Sequence, residues 1–241
     1  ITATVVFSEA VLVTGAPQLG LTIGSSVVQA AYASGSNTNT LTFTYTIVAG
    51  QTDANGIAVA ANALALNGGT IKDTAGNAAV LTHVAVADNA SFMVDTTAPT
   101  ATLTAGTSAN TGSASVQSSE VGTAYLVKTG GTGAVTVSAL ADITGAATTK
   151  QKSVSIATAN TATSVSLSGL EDGTYSVYAV DAAGNLSAAS GTTYVVDSTV
   201  PTVTSVTLTS ATGAQNNTLN VGDMITATVV FSEAVLVTGA P

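Results

Sequence analysis

A chain of 241 residues with no cysteine, no tryptophan and only 7% charged residues has room for two ordinary domains with full cores. It excludes a disulfide framework, thiolate metal sites and a cysteine nucleophile. Thirteen carboxylates stand against four lysines (Lys72, Lys128, Lys150, Lys152) and no arginine, so nucleic acid and anionic membrane surfaces are poor partners and a cation is a better one.

Taken in chain order, the predicted elements are almost all strands. In ITATVVF, Ile1, Ala3, Val5 and Phe7 share one face, with Thr2 and Thr4 opposite. In TLTFTYTI, Leu41, Phe43, Tyr45 and Ile47 alternate with Thr40, Thr42, Thr44 and Thr46. IAVAANALAL (Ile57 to Leu66) is rich in Ala and Leu and also admits a short helix. VLTHVAV places His83, the single histidine, among alternating apolar neighbours. YSVYAV (Tyr175 to Val180), TYVVD ending at Asp197, and TVTSVTLTS (Thr202 to Ser210) continue the period of two. β-branched residues dominate, and turns rich in Gly, Asn and Asp separate the strands. The predicted fold class is all-β, in tandem antiparallel β-sandwich domains. The apolar residues are mostly Ala and Val, and runs such as Ala63 to Leu66 fall far short of the roughly 20 residues of a spanning helix. A soluble chain without membrane insertion is therefore expected.

Repetition sets the organisation. ITATVVFSEAVLVTGAP, Ile1 to Pro17, recurs letter for letter as Ile225 to Pro241, so the parent protein carries near-identical copies in series. A weaker internal similarity lies within that period. VDTTAPT (Val94 to Thr100) matches VDSTVPT (Val196 to Thr202), KDTAGN (Lys72 to Asn77) matches VDAAGN (Val180 to Asn185), and SSE (Ser118 to Glu120) matches FSE at Phe7 to Glu9 and at Phe231 to Glu233. The proline in each VD-T-P segment disfavours continued strand pairing, so these segments read as interdomain linkers. The domains predicted are 1–98, lacking its first strand, a complete 99–200, and 201–241 as the opening strands of a further copy. The fragment is then out of phase with its own domains, and the C-terminal segment of one chain is expected to complete the N-terminal domain of the next, by strand complementation or within a continuous filament.

LEDGTYSVYAVDAAGN places Tyr175 at the start of a late strand, just after the Asp172-Gly173 turn. That is the position of a tyrosine corner in an immunoglobulin-like sandwich. With FSEAV, DGTY, D-x-A-G-N and VD-T-P in order, essentially the whole chain resembles the bacterial immunoglobulin-like (BIg-type) tandem repeats of large type I-secreted (RTX-like) surface adhesins. The resemblance implies tandem immunoglobulin-like domains, an extracellular, cell-surface location and calcium at interdomain junctions. In that topology Asp95, Glu120 and Asp181 converge where the linker meets the second domain. The corresponding set for the first domain is Asp197, or its preceding copy, with Glu9 or Glu233 and Asp73, and it is split between the two ends of the chain. Calcium takes 6–8 oxygen ligands; the bland alternative is that these aspartates only cap turns.

The remaining carboxylates (Asp53, Asp88, Asp142, Glu171, Asp172, Asp223) lie mostly in Gly- or Asn-rich loops. No second histidine or cysteine stands by His83, so zinc is not expected. No G-x-S-x-G elbow supports a hydrolase, and the chain is predicted not to be an enzyme. Glu171 and Asp172 are sequence neighbours in a turn rather than a glycosidase pair, and the threonines from Thr38 to Thr46 are the outer face of a strand. The function expected is a structural extender of a surface or biofilm adhesin. Its partners are adjacent repeats of the same protein, with a host or matrix ligand elsewhere in the parent. The alternatives are a glycan- or protein-binding module, with specificity in loops such as Val127 to Ala141, or a subunit of a head-to-tail filament.

Overall fold

The computed structural model describes residues 1–239; Ala240 and Pro241, the last two residues of the repeated segment, lie outside the described residues. The chain is all-β, with 47% strand and 3% helix. Eight strands come first: β1 (Thr2–Thr14), β2 (Gln18–Ile23), β3 (Ser26–Ser34), β4 (Thr38–Thr44), β5 (Thr52–Asp53), β6 (Leu64–Ala65), β7 (Thr70–Lys72) and β8 (Val94–Asp95). Six of them form a sheet in the order β6-β2-β3-β4-β1-β7, and β5 pairs with β8. The threonine-alternating pattern of β4 does what it predicts: Leu41 and Phe43 are fully buried. They stand opposite Val5 and Ala3 of β1 in antiparallel register. Val11, Leu19, Leu21, Ile57, Leu64 and Ile71 join them in one apolar core.

The segment Ile57 to Leu66 is extended, not helical. Ala58 exchanges backbone hydrogen bonds with Thr22, and Val59 with Val86, while Asn62 adopts a positive φ of 58°. Burying Ile57 and Leu64 against opposite ends of β2 outweighs the modest helix preference of alanine.

Eight more strands follow: β9 (Ala101–Leu103), β10 (Gly106–Ser108), β11 (Ser113–Ser118), β12 (Gly122–Gly130), β13 (Gln151–Ile156), β14 (Thr163–Ser166), β15 (Gly173–Asp181) and β16 (Tyr194–Val196). They form two sheets, β14-β11-β9 and β10-β16-β15-β12-β13. Leu103, Val116 and Val165 from the first meet Leu126, Tyr175 and Val177 from the second in a shared core, as in a sandwich. Periodicity predicts one buried face for Tyr175 to Val180, yet β15 is buried on both. The connection from β12 to β13 carries a short helix, α1 (Leu140–Thr144), and folds over the outer face. Ile143 and Val127 are fully buried there with Tyr178. A last hairpin, β17 (Val203–Thr212) with β18 (Met224–Phe231), leaves every residue of both strands exposed. No helix of the described residues is long and apolar enough to cross a membrane.

Candidate metal centre

The two D-x-A-G-N segments fold into the same loop. Asp73 accepts the Asn77 backbone N–H at 2.7 Å and the Asn77 side-chain amide at 2.7 Å. Asp181 accepts the matching pair from Asn185 at 2.9 and 2.8 Å. Gly76 and Gly184 take φ of 94° and 93°, a left-handed turn that glycine adopts without a Cβ penalty. The asparagine thus orients each aspartate. Asn185 also donates to the Asp95 carbonyl at 3.2 Å, tying the loop to the linker.

The linker is held in the same way at both junctions. Asp95 accepts the Thr97 N–H at 2.9 Å, and Asp197 the Thr199 N–H at 3.1 Å. Thr100 N–H donates to the Ser119 hydroxyl at 2.8 Å and Ser119 N–H to the Thr100 carbonyl at 3.0 Å. Thr202 and Ser232 make the same exchange at 2.9 and 2.8 Å. Each serine precedes the glutamate of its S-E pair, so the linker threonine fixes where Glu120 and Glu233 start. Gly122 then lets β12 close onto the end of β15, since a Cβ there would collide with the Val180 carbonyl.

These constraints bring three sequence-distant carboxylates together. Ligand oxygens of Asp95, Glu120 and Asp181 all lie within 4.8 Å of one another, with Asp95 exposed, Glu120 half-buried and Asp181 buried. The Glu120 carboxyl is pushed above the usual glutamate range, first by desolvation and then by the negative charges of Asp95 and Asp181. Three carboxylates offer only hard oxygen donors and a surplus of negative charge. That set fits a divalent cation of the calcium type and not the nitrogen and sulfur set that zinc favours.

The other acidic residues singled out from the sequence do not form such a group among the described residues. Glu9 and Asp73 line one hollow of about 320 Å³, together with Asn77 and Val11. Asp197 follows β16 and Glu233 follows β18. One carboxylate oxygen of Glu233 is enclosed without a hydrogen-bond partner. Asp53 is buried and accepts the N–H groups of Gly24 and Gly56, both at 2.8 Å, while Asp142 accepts from Ser138 and Ala139 at the start of α1. Glu171 pairs with Lys128 at 3.1 Å, and Asp172 holds Ser198 N–H at 2.8 Å. His83 is half-buried outside any strand; its Nε2 accepts Ala63 N–H at 2.9 Å, which leaves Nδ1 to donate to the Val84 carbonyl at 2.8 Å.

The sequence pattern picked out the three carboxylates but not Asn185, Thr100 or Ser119. The signal for these was present, because all three belong to the duplicated segments. No family model matches this chain, and no curated protein matches it.

Proposed function

We propose that this chain is a structural extender: a segment of an extracellular surface adhesin whose immunoglobulin-like sandwiches follow one another and are stiffened by calcium at their junctions. The units are 1–98, 99–200 and the opening strands 201–241. The convergence of Asp95, Glu120 and Asp181 on one seam carries the reading. Without a cation, three like charges loosen the seam; with one, they clamp it. The duplicated junction hydrogen bonds at Thr100–Ser119 and Thr202–Ser232 support a part repeated along an array. The Tyr175 hydroxyl, donating to the Glu171 carbonyl at 2.7 Å, supports an immunoglobulin-like topology for the second unit.

Thermal unfolding and small-angle scattering in millimolar calcium and in EDTA test the clamp. Extracellular calcium modules bind at about 10⁻⁴–10⁻³ M. A tenfold excess over the dissociation constant adds about 1.4 kcal/mol to the folded state. The midpoint should therefore rise, and the scattering should report a narrower distribution of interdomain distances. Identical midpoints and profiles in the two buffers sink the reading.

A further inference from the structure

The central strand of the second sandwich's smaller sheet, β11, has a neighbour on each edge, β14 and β9. Its counterpart in the first unit, β1, has β4 on one edge, but over Thr2 to Val6 the other edge is unpaired among the described residues. Beside that edge lies an apolar groove of about 550 Å³, lined by Leu19, Leu21, Ile57, Val59, Val86 and Phe92 with the strand itself. We propose that this groove is the acceptor for β17 of a second copy of the chain.

The occupant is identified by sequence identity and by hydrogen-bond parity. Residues Ile225 to Phe231 of β18 are identical to Ile1 to Phe7, and β18 is paired with β17. Backbone groups of a strand alternate between its two edges. In β1, Ile1 exchanges both hydrogen bonds with Tyr45 beyond the end of β4, so Ile1, Ala3 and Val5 address β4, and Thr2, Thr4 and Val6 address the open edge. In the hairpin, the carbonyls of Thr226 and Val230 accept from Thr209 and Thr204, and Ser232 N–H donates to Thr202. These are the counterparts of Thr2, Val6 and Ser8. The edge of β18 that holds β17 is therefore the edge that β1 leaves open.

The register agrees as well. Val203 lies opposite Phe231 at the start of β17, as Ala101 lies opposite Ser118 at the start of β9. Carried onto β1, the pairs Val206–Val229 and Leu208–Ala227 become Val206–Val5 and Leu208–Ala3. Directly opposed residues share a face, and Ala3 and Val5 pack against the core. Val206 and Leu208, 63% and 76% exposed in the hairpin, would enter the groove. Moving β17 from β18 to β1 exchanges one set of backbone hydrogen bonds for an equivalent set on the same sequence, and the apolar burial is the gain. The Thr202–Ser232 contact would become Thr202–Ser8, carrying Asp197 toward Glu9 and Asp73.

This proposal takes from the proposed function only that copies follow one another, and it holds without calcium. The test is oxidation of the cysteine-free full chain carrying T4C and T207C, because Thr207 stands opposite Thr228, the counterpart of Thr4. Opposed residues of this kind lie about 5.5 Å apart, within disulfide reach. In EDTA, disulfide-linked species of two or more chains are expected, in a yield that rises with protein concentration. Adding Leu208→Asp should abolish them without lowering the thermal midpoint of the monomer, since Leu208 is exposed there. Linked species from T4C alone, linking that survives Leu208→Asp, or single chains at every concentration would each overturn it. Loss of the calcium response with the cross-link intact counts against the clamp and not against strand docking.

Discussion

Glu120 sits where two opposing demands meet. Its carboxyl is half-buried beside Asp95 and Asp181, so the charged form is disfavoured in the folded state. A group whose folded pKa is raised contributes stability at low pH and loses it as the pH rises through the folded value. In EDTA the parent should therefore gain stability as the pH falls from neutral toward the ordinary glutamate range. Glu120→Gln should melt higher than the parent at neutral pH in EDTA, and the difference should shrink on acidification. In calcium the order should reverse, because the variant lacks one anionic ligand. Calorimetry across pH, with and without calcium, checks both signs.

At the scale of elements, β15 is the best-determined part of the second sandwich. It is buried along nearly its whole length, and Tyr175 at its start is fully enclosed. The Tyr175 hydroxyl donates to the Glu171 carbonyl, closing the turn that feeds the strand. Tyr175→Phe leaves that carbonyl without its donor and should cost about 1–3 kcal/mol in denaturant unfolding. Burial pushes the phenol from 10.0 up to about 12. The parent should accordingly lose stability between those pH values as the unfolded chain ionises first, and Tyr175→Phe should lose less there.

For the whole molecule, the question is whether the acidic seam links the units mechanically. Asp181→Ala removes a buried ligand on the β15 side and should abolish both the calcium-induced rise in midpoint and the change in scattering. Asp142→Ala removes a carboxylate engaged only with the turn ahead of α1 and should leave both responses intact. Equal loss of response in the two variants would mean that calcium acts elsewhere on the chain.

Alternation of threonine with apolar residues determined that the chain is a set of antiparallel strands, and it identified Leu41 and Phe43 as core, because a strand's side chains must point to opposite faces. The duplicated V-D-T-P, S-E and D-x-A-G-N segments singled out Asp95, Glu120 and Asp181 before any coordinates. Tertiary structure alone decided three further matters. Ile57 to Leu66 is extended because β2 and Val86 offer it backbone partners, which local alanine content cannot report. β15 is buried on both faces because a connection distant in sequence folds over it. The open edge of β1 is a fact of pairing: the same seven residues carry β17 at one end of the chain and none at the other. A strand's sequence specifies its faces, whereas its edges are specified by whichever neighbour reaches them.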